Sequence, residues 1–267
     1  MSLSHLGDVG AAAAAILGGL IAGSFLNVVI HRGPRLWGLV DGESRGGLAV
    51  PRSYCPACKA TIPPWGLVPV VSFIVQKGRC SACGGAISIR YPLVEASGAV
   101  VAVSALVVFG PTATALAAAI FGWALVALAF IDLETGYLPD AINYPLLAAG
   151  LCANAAGLFA PIFDAVIGAV VGFASFSAIG AAFEKLRGKE GLGLGDAKLL
   201  AAIGAWSGWV VLPAVVLIGA LATLAAIFFE RRRGKPASFD QPVPFGPGLC
   251  AAGFIALLAA PRFVSGL

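Results

Sequence analysis

The chain has 267 residues, 59% of them hydrophobic and 11% charged, with a formal net charge of +4. Soluble domains usually carry about a quarter of charged residues, so the composition excludes an ordinary water-soluble globule. Long uncharged apolar runs predict instead an all-α polytopic membrane protein, and the modest net charge gives no reason to expect a nucleic-acid partner.

A helix that crosses a bilayer takes about 20 apolar residues. Eight runs are candidates: 9–30, 92–109, 112–131, 141–160, 162–183, 197–206, 210–229 and 245–260. The first has no basic leader and continues into Asn27 and His31 instead of a small-residue cleavage site. It therefore reads as a retained helix, not a cleaved signal peptide. Gly110-Pro111 and Pro161 mark tight turns between spans.

The run 197–206 is short and could fuse with 210–229. The positive-inside rule decides against fusion. With eight spans and an outside N-terminus, Arg32, Arg35, Arg45, Arg52, Lys59, Lys77, Arg79 and Arg90 are cytoplasmic. Lys185, Arg187, Lys189, Arg231, Arg232, Arg233 and Lys235 join them, Lys198 lies at the cytoplasmic edge, and only Arg262 falls outside. Fusion would carry Arg231, Arg232 and Arg233 across, so a hairpin is expected at Ser207-Gly208. The expected organisation is a first transmembrane helix (9–30), a small soluble cytoplasmic insert (31–91) and a seven-helix core (92–260). No clear internal repeat stands out, and the Ala-rich runs suit close helix packing in lipid.

The insert holds four of the six cysteines, as Cys55-Pro-Ala-Cys58 and Cys80-Ser-Ala-Cys83. Two C-x-x-C pairs about twenty residues apart match a four-thiolate zinc site, with iron an alternative metal. Redox dithiols or simple packing are the other readings. On the basic, cytoplasmic side thiols stay reduced, which argues against disulfides. Four protein ligands leave no open coordination position, so the metal is expected to staple the insert and not to catalyse. Cys152 and Cys250 lie in apolar spans without such spacing and are expected to pack.

Most acids fit loops or helix ends. Glu95, just inside the second span near Arg90 and Tyr91, reads as a structural ion pair or as a lining residue of a polar cavity. Asp132 closes the third span and Asp196 opens the sixth, and the eight-span topology brings both to the cytoplasmic boundary. Ionisable groups at that depth are functional hypotheses by default. Two facing carboxylates cannot both ionise easily, so one holds a proton while the other is a base. That suits aspartic proteolysis, and proton-coupled transport uses buried acids equally well. The stretch Gly191-Leu-Gly193-Leu-Gly195-Asp196 fails the nucleotide-loop patterns. Its glycines instead make room for an approaching backbone, such as a peptide substrate.

Five motifs occur in order: GSFLNVVIHR (23–32), CPAC…GRCSACGGAISIRYPLVE (55–95), DLETGYLPD (132–140), GLGDAKLLAAIGAW (193–206) and PFGPGL (244–249). Together they resemble the bacterial prepilin peptidases, or type IV leader peptidases, over nearly the whole chain. The resemblance implies an inner-membrane aspartyl protease of the G-x-G-D type with Asp132 and Asp196 as the catalytic pair. It implies cleavage of the basic leader of type IV prepilins or type II secretion pseudopilins after a glycine, at the cytoplasmic face. Many members then methylate the new N-terminal residue, often Phe, with S-adenosylmethionine, and the cysteine-bearing insert is typical of those bifunctional members. Gly193, Gly195, Lys198 and Glu95 are candidate lining residues. Asn27, His31 and Arg32 are candidates for the methyl donor, or anchors of the first span at the interface. Lys198 either orients the site or snorkels. A peptidase without methyl transfer and a proton-coupled transporter are the alternatives, although midplane acids and repeated halves, common in transporters, are missing here.

Overall fold

The computed structural model describes residues 3–41, 46–188, 193–232 and 244–264. Arg45, Lys189, Gly191, Arg233 and Lys235 lie outside the described residues. The described residues are helical, with two isolated β-bridges and no strands. Nine α-helices follow one another: α1 (Leu3–Leu36), α2 (Val71–Val75), α3 (Arg90–Phe109), α4 (Ala113–Thr135), α5 (Asp140–Ala155), α6 (Ile162–Arg187), α7 (Leu194–Ser207), α8 (Leu212–Arg232) and α9 (Gly246–Val264). All but α2 occupy the eight apolar runs. The chain is an all-α, multi-pass membrane protein in which α1, α3, α4, α6 and α8 are long and apolar enough to cross a bilayer. The chain divides into two compact units, Met1–Ala127 and Leu128–Leu267.

Several boundaries differ from the expected ones, each for a local reason. Helix α1 runs six residues past 30, so His31 and Arg32 are helical. Pro34 frees a carbonyl one turn back, and the Arg35 guanidinium donates to the His31 carbonyl at 2.7 Å, closing the end. Helix α5 stops at Ala155, not at 160. There Asn154 Oδ1 accepts from the N–H groups of Phe159 and Ala160 (3.2 and 2.9 Å) and folds the chain into a turn. The hairpin between α7 and α8 turns where expected, with Gly208 at φ 79°.

In the first unit α1 packs on α3, and the Trp123 indole donates to the Gly98 carbonyl at 2.9 Å. Asn27 is buried and donates to the Tyr91 carbonyl at 3.0 Å, a polar clip between α1 and the start of α3.

In the second unit α7 is central, packed by α5, α6 and α9. A helix apolar all round belongs in a core, and from Ala197 to Ser207 every α7 residue except Lys198 is buried. Its 14 residues span about 21 Å, short of a hydrocarbon core of about 30 Å. Neighbouring helices rather than lipid enclose it. Gly168 and Gly204 let α6 and α7 touch backbone to backbone: a Cβ on Gly204 would lie 2.3 Å from the Gly168 carbonyl oxygen. Asn154 Nδ2 donates to the carbonyls of Ala205 and Trp206 (2.8 and 3.0 Å), and the Trp206 indole donates to the Leu146 carbonyl at 2.8 Å. These bonds lock the far end of α7 to α5.

Asn154→Ala strands two backbone N–H groups and two carbonyls away from water. The expected loss is about 2–3 kcal/mol, read as a lower midpoint of thermal unfolding in detergent.

Candidate active site and thiolate cluster

Asp132 lies in the last turn of α4, and only 6% of it is exposed. The C-terminal end of a helix is electrostatically unfavourable for a carboxylate. The compensation comes from α9, whose first residue, Gly246, donates its N–H to Asp132 Oδ2 at 3.0 Å. Asp132 thus sits against the positive end of a second helix. The close approach requires glycine, because a Cβ on Gly246 would stand 2.6 Å from Asp132 Oδ2.

Asp196 lies in the first turn of α7, where the helix N-terminus favours negative charge. Gly193 caps that helix in an extended conformation, and its carbonyl accepts from the Asp196 N–H at 3.1 Å. The two carboxyls lie within electrostatic reach of each other, and the buried Cys250 of α9 lies within reach of both. Leu138, in the loop after α4, is the shared wall: its side chain would meet a Cβ on Gly195 at 3.0 Å and one on Gly246 at 3.3 Å. Such a pair of acids, one neutral and one charged, can split acid and base work between them.

The other expected site residues have different surroundings. Lys198 donates to both oxygens of Asp140 (2.7 and 2.8 Å) and lies over the Tyr144 ring at 5.3 Å. Its charge is taken up on the α5 side. Glu95, Asn27, His31 and Arg32 all belong to the first unit. Glu95 Oε2 accepts from the Val70 N–H at 2.7 Å, and its carboxylate also bonds the Ser24 side chain. Arg32 donates to the Gly47 carbonyl at 3.2 Å. Gly246 and Asp140 have no role that composition or spacing marks out. Gly246 is the third residue of PFGPGL and Asp140 ends DLETGYLPD, and only the folded contacts expose what they do.

The four cysteines of the insert converge, with all sulfurs within 4.8 Å of one another and Cys55 Sγ 4.0 Å from Cys83 Sγ. A tetrahedral zinc with Zn–S of about 2.3 Å places its sulfurs roughly 3.8 Å apart, so the set can hold such an ion. Chiefly the Cys58 N–H pulls the Cys55 thiol down to about 7. Cys83 is pushed up to about 11: the Gly85 N–H favours its thiolate, and the crowding sulfurs of Cys58 and Cys80 outweigh it. Four thiolates in one place need a cation.

A short internal repeat underlies the cluster, although none was expected. Cys55 N–H donates to the Ala60 carbonyl and Lys59 N–H returns to Cys55; Cys80 N–H donates to Gly85 and Gly84 N–H returns to Cys80, all at 2.8–2.9 Å. The bridges Tyr54–Thr61 and Arg79–Ala86 frame the two knuckles in equivalent places. The fifth position of each is left-handed, Gly84 at φ 71° and Lys59 at φ 62°.

Residues 17–109 match the bacterial peptidase A24 N-terminal domain, and residues 119–228 match the type IV leader peptidase family. A Burkholderia pseudomallei protein named prepilin leader peptidase/N-methyltransferase is 46% identical over 93% of this chain and 85% of its own length. Proteins of the same name from Pseudomonas aeruginosa (42%; 91% of this chain, 88% of theirs) and Aeromonas salmonicida (43%; 90% and 87%) are similarly close.

The chain belongs to the type IV leader peptidase family.

No solved structure matches it. The family's two matched regions contain between them the thiolate cluster and both acids.

A left-handed residue other than glycine costs about 1 kcal/mol. Lys59→Gly should therefore slow, and Gly84→Lys should speed, the reaction of the insert's thiols with a thiol reagent under mild denaturant.

Proposed function

We propose that this protein is an aspartyl endopeptidase of the bacterial inner membrane with N-methyltransferase activity. Its substrates are type IV prepilins or type II secretion pseudopilins, cut after a glycine at the cytoplasmic face to remove the basic leader. The observation that carries the reading is the proximity of Asp132 and Asp196, each set at the N–H end of a helix. The shared name of the relatives supports both activities. In this reading 92–260 works as the peptidase core, behind a first helix (9–30) and the insert (31–91). Nothing observed favours a transporter.

One carboxylate, charged, takes a proton from water as the water oxygen attacks the scissile carbonyl carbon. The other, neutral, gives its proton to the carbonyl oxygen. Collapse of the tetrahedral species breaks the C–N bond, and the departing amine takes up a proton from the pair. Gly195 leaves space beside Leu138, and Gly193 holds the first turn of α7 in register. The leader's basic residues remain in the cytoplasm, which sets the scissile bond at the level of the acids. Lys198, held by Asp140, steadies α7 against α5 beside the lining residues.

S-adenosylmethionine supplies a methyl group to the new N-terminus. Among its candidate residues Asn27 fits best, because its Oδ1 is a buried acceptor without a protein partner and suits an ammonium group. Zinc held by Cys55, Cys58, Cys80 and Cys83 keeps the insert folded and takes no part in the chemistry.

The test is cleavage of a purified prepilin in liposomes, with the product weighed by mass spectrometry. Asp132→Asn and Asp196→Asn should each lower cleavage by about 10³-fold or more while leaving the unfolding midpoint near that of the wild type; normal cleavage by either variant would refute the pair. A misplacement of about 1 Å can cost 10²-fold, and Gly246→Ala should do at least that by pushing Asp132 off its N–H donor. Plasma mass spectrometry should find about one zinc per chain, lost in Cys83→Ser.

A further inference from the structure

The insert carries an apolar surface that its metal knuckles do not use. Between residues 65 and 75, Trp65, Leu67, Val68, Val71, Ile74 and Val75 all point outward, with Trp65 75% and Val75 74% exposed. The segment is a 3-10 turn (Pro64–Leu67) followed by α2. Phe73 alone turns inward among the large apolar residues of α2, its ring against Gly78. Contiguous exposed apolar surface on this scale marks a contact with something apolar.

The segment's level in the molecule identifies that contact. Glu95 lies near the beginning of α3, a helix that crosses the membrane, and its carboxylate receives the Val70 N–H. Val70 holds φ 60° and ψ −47°, near the geometry of a classic γ-turn, which is rare and strained. The turn there is tight, with Val71 N–H donating to the Pro69 carbonyl at 2.6 Å. The apolar hairpin is thus fastened at the level where α3 enters the bilayer. In that layer an unpaired backbone N–H is costly, and Glu95 satisfies the one the turn exposes. Ile89, just before α3, and Leu93 in its first turn are also exposed, so apolar surface continues from the hairpin to the helix. Tryptophan favours the membrane interface. Exposed Lys59, Lys77 and Arg79 flank the hairpin and suit anionic headgroups.

We propose that residues 65–75 lie in the interfacial layer of the membrane as a monotopic hairpin beside α3, with phospholipid as their partner. The part of the insert expected to be soluble is then its thiolate cluster alone. Glu95 is the positioning residue that holds the hairpin at this depth.

The experiment uses the full-length protein in nanodiscs containing anionic phospholipid. The chain has 5 tryptophans, so the emission of Trp65 is the difference between wild type and Trp65→Phe. The expected result is a blue-shifted component that loses intensity with lipids brominated near the headgroup end of the acyl chain and resists aqueous acrylamide. Independently of any variant, a photoactivatable phospholipid should leave adducts on peptides covering 65–75 of the wild type. Quenching of Trp65 by acrylamide, with no effect of brominated lipid and no adducts, overturns the proposal. Protection that arises only when a prepilin peptide is added also overturns it and assigns the surface to substrate. Glu95→Ala should raise acrylamide quenching of Trp65, and Glu95→Gln, which keeps an acceptor oxygen, should restore protection.

Discussion

The second unit is organised around one hydrogen bond, from the Gly246 N–H to the Asp132 carboxylate. Asp132 occupies a poor place for an acid. It is buried, at the carbonyl end of its own helix, with another carboxyl in reach. Each of these disfavours a charge. The beginning of α9 supplies what α4 cannot, a free backbone N–H backed by a helix dipole. For that to work, α9 must begin at 246 and its first residue must lack a side chain. Because α9 packs on α8 and α7, the contact also fixes where the helix bearing Asp196 stands relative to Asp132.

The other half of the arrangement is the enclosure of α7. Its apolar faces meet α5, α6 and α9, and its far end is tied by Asn154 and Trp206. A carboxylate in the first turn of a helix so gripped has little freedom to drift. Polar bonds made in an apolar setting supply direction, and interlocked glycines supply closeness. Neither requires a large apolar area on a helix of 14 residues. Preorganised acids of this kind need little rearrangement when charge develops.

Much of this was legible in the sequence, for identifiable reasons. The spans were legible because apolar runs of bilayer length have few alternatives, and the α7–α8 hairpin because basic residues report sidedness. The cysteine cluster was legible because paired C-x-x-C spacing converges on few geometries. Helix ends were less so: α1 runs past Pro34 to Leu36, and Asn154 stops α5 through contacts five and six residues ahead. The knuckle repeat hid because Lys59 stands where its counterpart has glycine, and hydrogen bonding, not identity, reveals the equivalence. Gly246 could not be singled out in advance, since its N–H acquires meaning only from a partner 114 positions away.

The enclosure of α7 has a consequence for how the protein meets different membranes. Helices in contact with lipid respond to a thicker or thinner bilayer by tilting, at a cost of fractions of a kcal/mol per ångström. A helix of about 21 Å that is buried in protein from Ala197 to Ser207, except at Lys198, has little hydrophobic length to match to lipid. Changes in acyl-chain length or sterol-like stiffening are absorbed by the long outer helices, α6 and α8, whose apolar residues are widely exposed. The acid at the head of α7 is thereby held by protein contacts, while its partner Asp132 sits on α4, a helix long enough to cross the bilayer.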